Sequence, residues 1–362
     1  MYARWYSFLC LIVFPIIASC VSPREVGNQS VADGNAIPGD QSNPSQLIRK
    51  IPSPQIVPST RIPPSPQILG VNYVGAIGGP GQGAGQFIQP LGLALDRLGH
   101  LYVADSGNNR IHVVDFDGNF ITEFGSRGWR IGEFDQPTAA AINFQRTEIL
   151  YVIDSGNSRV QYCNLVDRIF HLMLGDYPEG DSGNLSTSAH IELDLPYGIG
   201  IGRNGEIYVV DTGNNRFIQF DSEGRPILIR GSFGGESEQF RDPTDLVVDP
   251  YGNIYVVDSG NHRVKKYDFS ANLVQMWGGE GSARGQFRDP SQIALDRWNS
   301  LYVADRGNRR VQIFTPNGEP LTEFGSDTLV EPVGIAVSRD DHVFVSDSAT
   351  NDIKVFQVIF RP

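Results

Sequence analysis

The sequence predicts an all-β fold, a six-bladed β-propeller of four-stranded antiparallel blades, and three observations predict it. A strand led by an aromatic residue recurs six times, as YVADSGNNR (102–110), YVIDSGNSR (151–159), YVVDTGNNR (208–216), YVVDSGNHR (255–263), YVADRGNRR (302–310) and FVSDSATND (344–352). A second register keeps the same period: Pro90, Pro137, Pro196, Pro243, Pro290 and Pro332 each follow an apolar residue three positions back, Phe87, Phe134, Leu193, Phe240, Phe287 and Leu329. Between glycine clusters the chain offers short β-branched and aromatic runs and no long amphipathic helical run. Two independent motifs with one period, at about 40–50 residues per unit, mark a propeller.

Taken from the start, residues 1–19 read as a signal peptide of the lipoprotein type: Arg4, an apolar stretch from Phe8 to Ala18, then small residues. The apolar stretch is short for a bilayer span. The string Ile17-Ala18-Ser19-Cys20 resembles the bacterial lipobox, which makes Cys20 the expected lipidation site and leaves Cys163 without an intramolecular disulfide partner. Residues 20–67 form a Pro- and Ser-rich tether. Its segment IPSPQIVPSTRIPPSPQ (51–67) carries proline too often for a ladder or a helix and reads as an extended spacer.

The folded region is 68–362. Each unit parses into a strand after the Pro (LGLALD, 91–96), a Gly turn, the tyrosine-led strand, a strand after the Asn-x-Arg (IHVVDF, 111–116) and a last strand ending in an aromatic and Gly (ITEFG, 121–125). The last unit stops after its third strand, IKVFQVIF (353–360). An orphan strand, VNYVGAIG (71–78), precedes the first unit. Pairing these two closes the ring and removes its exposed edges.

The pattern PLGLALD (90–96) followed by YVADSGNNRI (102–111), with its counterparts, resembles the NHL repeat family over residues 68–360, about four-fifths of the chain. The resemblance implies a six-bladed propeller. It fixes function less well, because relatives include interaction modules, RNA binders and peptide-amidating lyases.

The repeated polar set comprises Asp105, Asn108, Arg110; Asp154, Asn157, Arg159; Asp211, Asn214, Arg216; Asp258, Asn261, Arg263; and Asp305, Asn308, Arg310. It is expected to be structural, since every blade needs the loop and function rarely needs equivalent copies. Gly-rich strings such as GGPGQGAGQF (78–87) lack the strand–helix context of a phosphate cradle and read as connections between blades. The six histidines, His100, His112, His171, His190, His262 and His342, sit at unrelated places in the repeat, none just after a Pro. No metal, cofactor or catalytic set is therefore expected.

Function should lie where the units differ. The residues after the prolines place Tyr197, Thr244, Asp245, Ser291 and Gln292 near one another at the expected channel mouth. The acidic connection 176–194 and the exposed-looking Trp129 are further candidates. Blade five adds Arg284, Arg288, Arg306 and Arg309, a basic cluster suited to a carboxylate or phosphate. A net charge of −12 disfavours nucleic acid as a partner. The expectation is a lipid-anchored, monomeric, extracytoplasmic scaffold in a bacterial cell envelope, touching the membrane only through its lipid. It would bind a protein or peptide, with carbohydrate next, through its loop face. The alternative is a propeller-type lyase or hydrolase using Tyr197 and Asp245.

Overall fold

The computed structural model describes residues 66–144, 148–175 and 191–361. The signal, Cys20, nearly all of the tether, His190 and most of the 176–194 connection lie outside the described residues.

Among the described residues, twenty-four strands form six four-stranded antiparallel sheets. Blade one holds β2 (Pro90–Leu95), β3 (Leu101–Asp105), β4 (Arg110–Val114) and β5 (Phe120–Phe124). Blade two holds β6 (Pro137–Asn143), β7 (Ile149–Asp154), β8 (Arg159–Asn164) and β9 (Phe170–Leu174). Blade three is β10 (Pro196–Ile201), β11 (Ile207–Asp211), β12 (Arg216–Phe220) and β13 (Pro226–Arg230). Blade four is β14 (Pro243–Val248), β15 (Ile254–Asp258), β16 (Arg263–Tyr267) and β17 (Leu273–Gly278). Blade five is β18 (Pro290–Leu295), β19 (Leu301–Asp305), β20 (Arg310–Phe314) and β21 (Pro320–Phe324). Blade six joins β22 (Pro332–Val337), β23 (His342–Asp347) and β24 (Asp352–Phe360) to β1 (Ile68–Gly78). The pairing of β1 with β24 runs from Ile68 opposite Phe360 to Gly78 opposite Asp352, as the strand count required.

The second strands of blades one, three, four and five bury every residue, which is why they read as unbroken apolar runs: LYVAD and IYVVD have water on neither face. Outer strands alternate, as in PILIR of β13. The core is six layers between blades rather than one centre. One layer packs Tyr102 and Ile111 of blade one on Leu150 and Val152 of blade two. Another packs Tyr255 and Val257 of blade four on Leu301 and Val303 of blade five. The apolar residue three before each Pro wedges into these layers: Phe87, Phe134, Phe240 and Phe287 are 0% exposed. The Gly-rich connections are the inter-blade loops expected. In four of them the loop folds back to bridge its own phenylalanine, as Pro80 to Phe87 and Glu280 to Phe287.

Candidate functional site

Each of the first five second strands ends in a buried clamp. In blade one, Asp105 accepts the backbone N–H of Ile88 at 2.8 Å, the Asn108 amide at 2.8 Å and Arg110 Nε at 2.8 Å. The Arg110 guanidinium then reaches the Gly83 and Gln86 carbonyls of the incoming connection. Asp154, Asp211, Asp258 and Asp305 repeat the set with Arg159, Arg216, Arg263 and Arg310 at 2.7–2.8 Å. Asn157, Asn214, Asn261 and Asn308 complete it. The residue after each Asn turns left-handed, from φ 48° at Ser158 to 56° at Asn109, which aims the Arg back at the Asp. Burial raises the pKa of Asp105 and Asp154, and the amide and guanidinium donors oppose it. These fifteen residues tie the connection between two blades to the end of a strand.

Sequence reading passed over a fourth position, two residues after the Arg. Gln161 and Gln312 occupy it in blades two and five, each accepting a loop N–H and donating to a loop carbonyl. His112 fills it in blade one, accepts Gly85 N–H at 3.0 Å and stands edge-on to Phe87 at 5.4 Å. Burial, reinforced by Arg110, pushes His112 down to about 4. Lys265 fills it in blade four. Its ammonium donates to the Ser237 and Gln239 carbonyls and lies 4.0 Å from the Phe240 ring centroid and 3.5 Å from Asp258. Burial pushes Lys265 down to about 8 despite Asp258. The varied residue types at one slot concealed it.

The residues after the prolines behave differently from expectation. Thr244 Oγ1 donates to the Ser291 carbonyl of the next blade at 2.5 Å, and Ser291 Oγ to the Val333 carbonyl at 2.8 Å. Thr138, Thr212 and Ser346 donate likewise to Tyr197, Pro243 and Leu91. A belt of hydroxyl-to-carbonyl bonds thus stitches five blade junctions. Thr244 and Ser291, expected among the ligand-binding residues, belong to that belt, and their hydroxyl protons are donated across the blade junctions. The neck here is tight: a Cβ on Gly198 would stand 2.5 Å from Asp245 Oδ1 and 2.6 Å from the Thr244 carbonyl.

Tyr197 remains half-buried at this end. Burial pushes its phenol up to about 12, with Arg306 opposing and Asp245 and Glu331 adding. Asp245 and Gln292 lie inside the channel, next to this neck. They are 6% and 4% exposed and line a central cavity of about 470 Å³. The cavity extends down the first strands to Phe144, Pro250, Asp296 and Asn299, at the opposite end of the ring. Asp245 Oδ2 accepts the Ile293 N–H at 3.1 Å, and burial drives its carboxyl up to about 8.

On the rim, Arg288, Arg306 and Arg309 are exposed, and the connection into the preceding blade, blade four, brings Arg241 to the same end. Arg306 lies 3.9 Å from Glu331. Neither guanidinium of Arg288 nor Arg309 has a hydrogen-bond or ion-pair partner among the described residues. Arg284 is held by the Pro320 and Leu321 carbonyls of its own blade, so it does not join them. Trp129 is 53% exposed, with Arg130 6.0 Å from its ring centroid. The described histidines stay apart: His100 pairs with Asp96, His342 with Asp340, His171 stacks on Tyr162 and His262 accepts Asp289 N–H.

Family comparison agrees with the repeat and the ring. The model for the NHL repeat matches residues 87–114 and 240–267, each running from the wedged phenylalanine through the clamp into the third strand. The chain is an NHL-repeat propeller. It is 27% identical over 140 residues to the protein brain tumor of Drosophila melanogaster, covering 39% of this chain and 12% of that protein. It is 27% identical over 171 residues to NHL repeat-containing protein 2 of Homo sapiens, covering 42% of this chain and 23% of that protein. The NHL-repeat chain therefore spans less than a quarter of the length of these relatives. Among solved structures, virginiamycin B lyase of Staphylococcus aureus, determined with quinupristin, matches with a TM-score of 0.53 at 13% identity, over 80% of this chain and 99% of that one. A protein of unknown function from Bacteroides thetaiotaomicron matches with a TM-score of 0.58 at 13% identity, over 80% and 76%. At such identities the likeness is one of fold.

Proposed function

We propose that this NHL-repeat propeller is a binding scaffold for a protein or peptide, working outside the cytoplasm. A lipidated Cys20 anchors it to the bacterial envelope, and the Pro-rich segment up to residue 67 holds the ring (68–362) away from the membrane. The partner presents an acidic segment to Arg288, Arg306 and Arg309, with Arg241 beside them; Trp129, on the connection into blade two across the ring, offers a separate aromatic contact. One observation carries the reading. The clamp arginines are all engaged inside the fold, whereas Arg288 and Arg309 expose guanidinium groups with no partner among the described residues. A guanidinium fork held on a rigid loop matches a carboxylate pair of a partner.

The test is charge reversal at Arg241, Arg288, Arg306 and Arg309, each to Glu, followed by affinity capture from membrane extracts. Loss of a partner that the parent retains, with an unchanged melting temperature, supports the site. Retention of every partner overturns it. For the anchor, Cys20→Ser moves the protein from the membrane to the soluble fraction; a variant that stays on the membrane overturns lipidation there.

A further inference from the structure

Asp245 and Gln292 stand at the inner end of the central cavity, and the belt and rim described above use neither side chain. Asp245 is removed from water with only backbone N–H groups, those of Ile293 and Leu246, as hydrogen-bond donors, and no cation faces it. A carboxylate in that position costs free energy until a counter-charge arrives. Gln292, on the adjacent blade, has no side-chain hydrogen bond among the described residues, and its amide nitrogen comes within 3.1 Å of where a Cβ of Gly92 would stand, on blade one. Its side chain lines the cavity, where a ligand group can complete its hydrogen bonding. Below them the wall is aliphatic, with Leu93, Ala140, Ile199 and Ile335 among the lining residues. About 470 Å³ suits a slender molecule with one polar end.

We propose that this channel binds an aliphatic chain ending in a primary ammonium, the ammonium seated between Asp245 and Gln292 and the stem lying along the apolar wall. The ammonium donates to the free Asp245 oxygen and to the Gln292 carbonyl oxygen, which satisfies both. A ligand carboxylate meets Asp245 unfavourably, and a neutral alcohol brings no positive charge to draw off its proton. The head enters from the end lined by Pro250 and Asn299, opposite the rim arginines, so the site stands or falls separately from the partner surface.

Charge is conserved through a proton. Burial holds Asp245 near 8, so at pH 7 most molecules carry the neutral acid. An alkylammonium that binds converts it to carboxylate and releases that one proton to solvent. The other titratable groups near this event are Tyr197, whose phenol is pushed up to about 12 and stays neutral, and Asp296 at the open end, whose pKa burial also raises. The remaining lining side chains of the first strands carry no charge.

The experiment is titration calorimetry of the full chain at pH 7 with hexylammonium, with 1-hexanol as the neutral match, and with an acetylated tripeptide carrying a central lysine. Two buffers of different ionisation enthalpy report the released proton. Hexylammonium binds at least tenfold more tightly than hexanol and releases a proton. Asp245→Asn weakens it at least tenfold and abolishes the release, and Gln292→Leu weakens it several-fold. Tripeptide binding as tight as hexylammonium identifies the source as a lysine side chain; hexylammonium binding alone identifies a free amine. No binding at millimolar hexylammonium, equal binding of hexanol, or an unaffected Asp245→Asn overturns the proposal. Should Asp245→Asn fail to fold, Gln292→Leu and the hexanol comparison decide.

Discussion

Blades five and six occupy equivalent places in the ring and end their second strands in different ways. In blade five, Asp305 holds Asn308 and Arg310, and Arg310 holds the Ala283 and Gln286 carbonyls of the long connection 278–289. In blade six the incoming connection, 325–331, is short and turns on itself through Thr328 and Leu329 N–H groups bonded to Gly325. No distant loop carbonyls await a guanidinium. Asp347 is satisfied instead by the N–H groups of Val330, Glu331, Ala349 and Thr350, and Asp352 pairs with Lys354 at 2.6 Å. The difference teaches that the arginine serves the loop, not the aspartate. Where the loop is absent, so is the arginine.

The largest break of this comparison comes from Arg159, which is 2% exposed. Arg159→Met leaves Asp154 buried without its cation and frees the Trp129 and Arg130 carbonyls. A loss of about 3–5 kcal/mol is expected in urea unfolding. The next effect is a pH dependence confined to blade one. His112 titrates at about 4 when folded against 6.5 when unfolded. Between those values the unfolded chain binds a proton at His112 that the folded chain refuses, so the contribution of this residue to stability falls as pH drops from 6.5 to 4, by at most about 1.4 kcal/mol per pH unit. His112→Gln, which installs the residue of blades two and five, should remove that slope from the difference between variant and parent melts.

A smaller effect sharpens the comparison. Grafting the consensus onto blade six, Thr350→Asn with Asp352→Arg, should gain nothing and cost up to about 1 kcal/mol, since it breaks the Lys354 pair and supplies no carbonyls. A gain of more than that would show that the clamp acts through the aspartate alone. Smallest of all, Arg306→Ala should change unfolding free energy by less than about 0.5 kcal/mol, because its contact with Glu331 is exposed and 3.9 Å long.

Much of this was legible because period and chemistry coincide. A buried aspartate, a wedged phenylalanine and a strand-opening proline are needed at every junction, so they recur and betray the blade. Strand counting also exposed the closure, since a blade short of one strand and a strand short of a blade answer each other. The belt was less legible. Its donors come from first strands at Thr138, Thr244 and Ser291 but from the end of the second strand, or just after it, at Ser346 and Thr212, so no single register reveals it. Side chains that look variable, and therefore functional, were holding carbonyls across a junction. The direction of Asp245 and Gln292 was hidden for a different reason. How a side chain lies in a channel depends on how closely neighbouring backbones approach, and the tight passage at Gly198, against Asp245 and the Thr244 carbonyl, leaves no trace in the sequence pattern.

The pairing of β1 with β24 also sets an order of events. Ile68 meets Phe360 only when nearly the whole repeat region is available, and Arg361 N–H bonds the Gln67 carbonyl at 2.8 Å. Contacts of such sequence separation form late and slowly. During synthesis β1 therefore waits with its hydrogen-bonding edge uncovered, and with Ile68, Val71 and Ile77, which pack into the core layers of the closed ring, still exposed until the last strand emerges. The nascent chain is thus a ring held open, and its greatest exposure to misassembly falls in the interval before its final strand arrives.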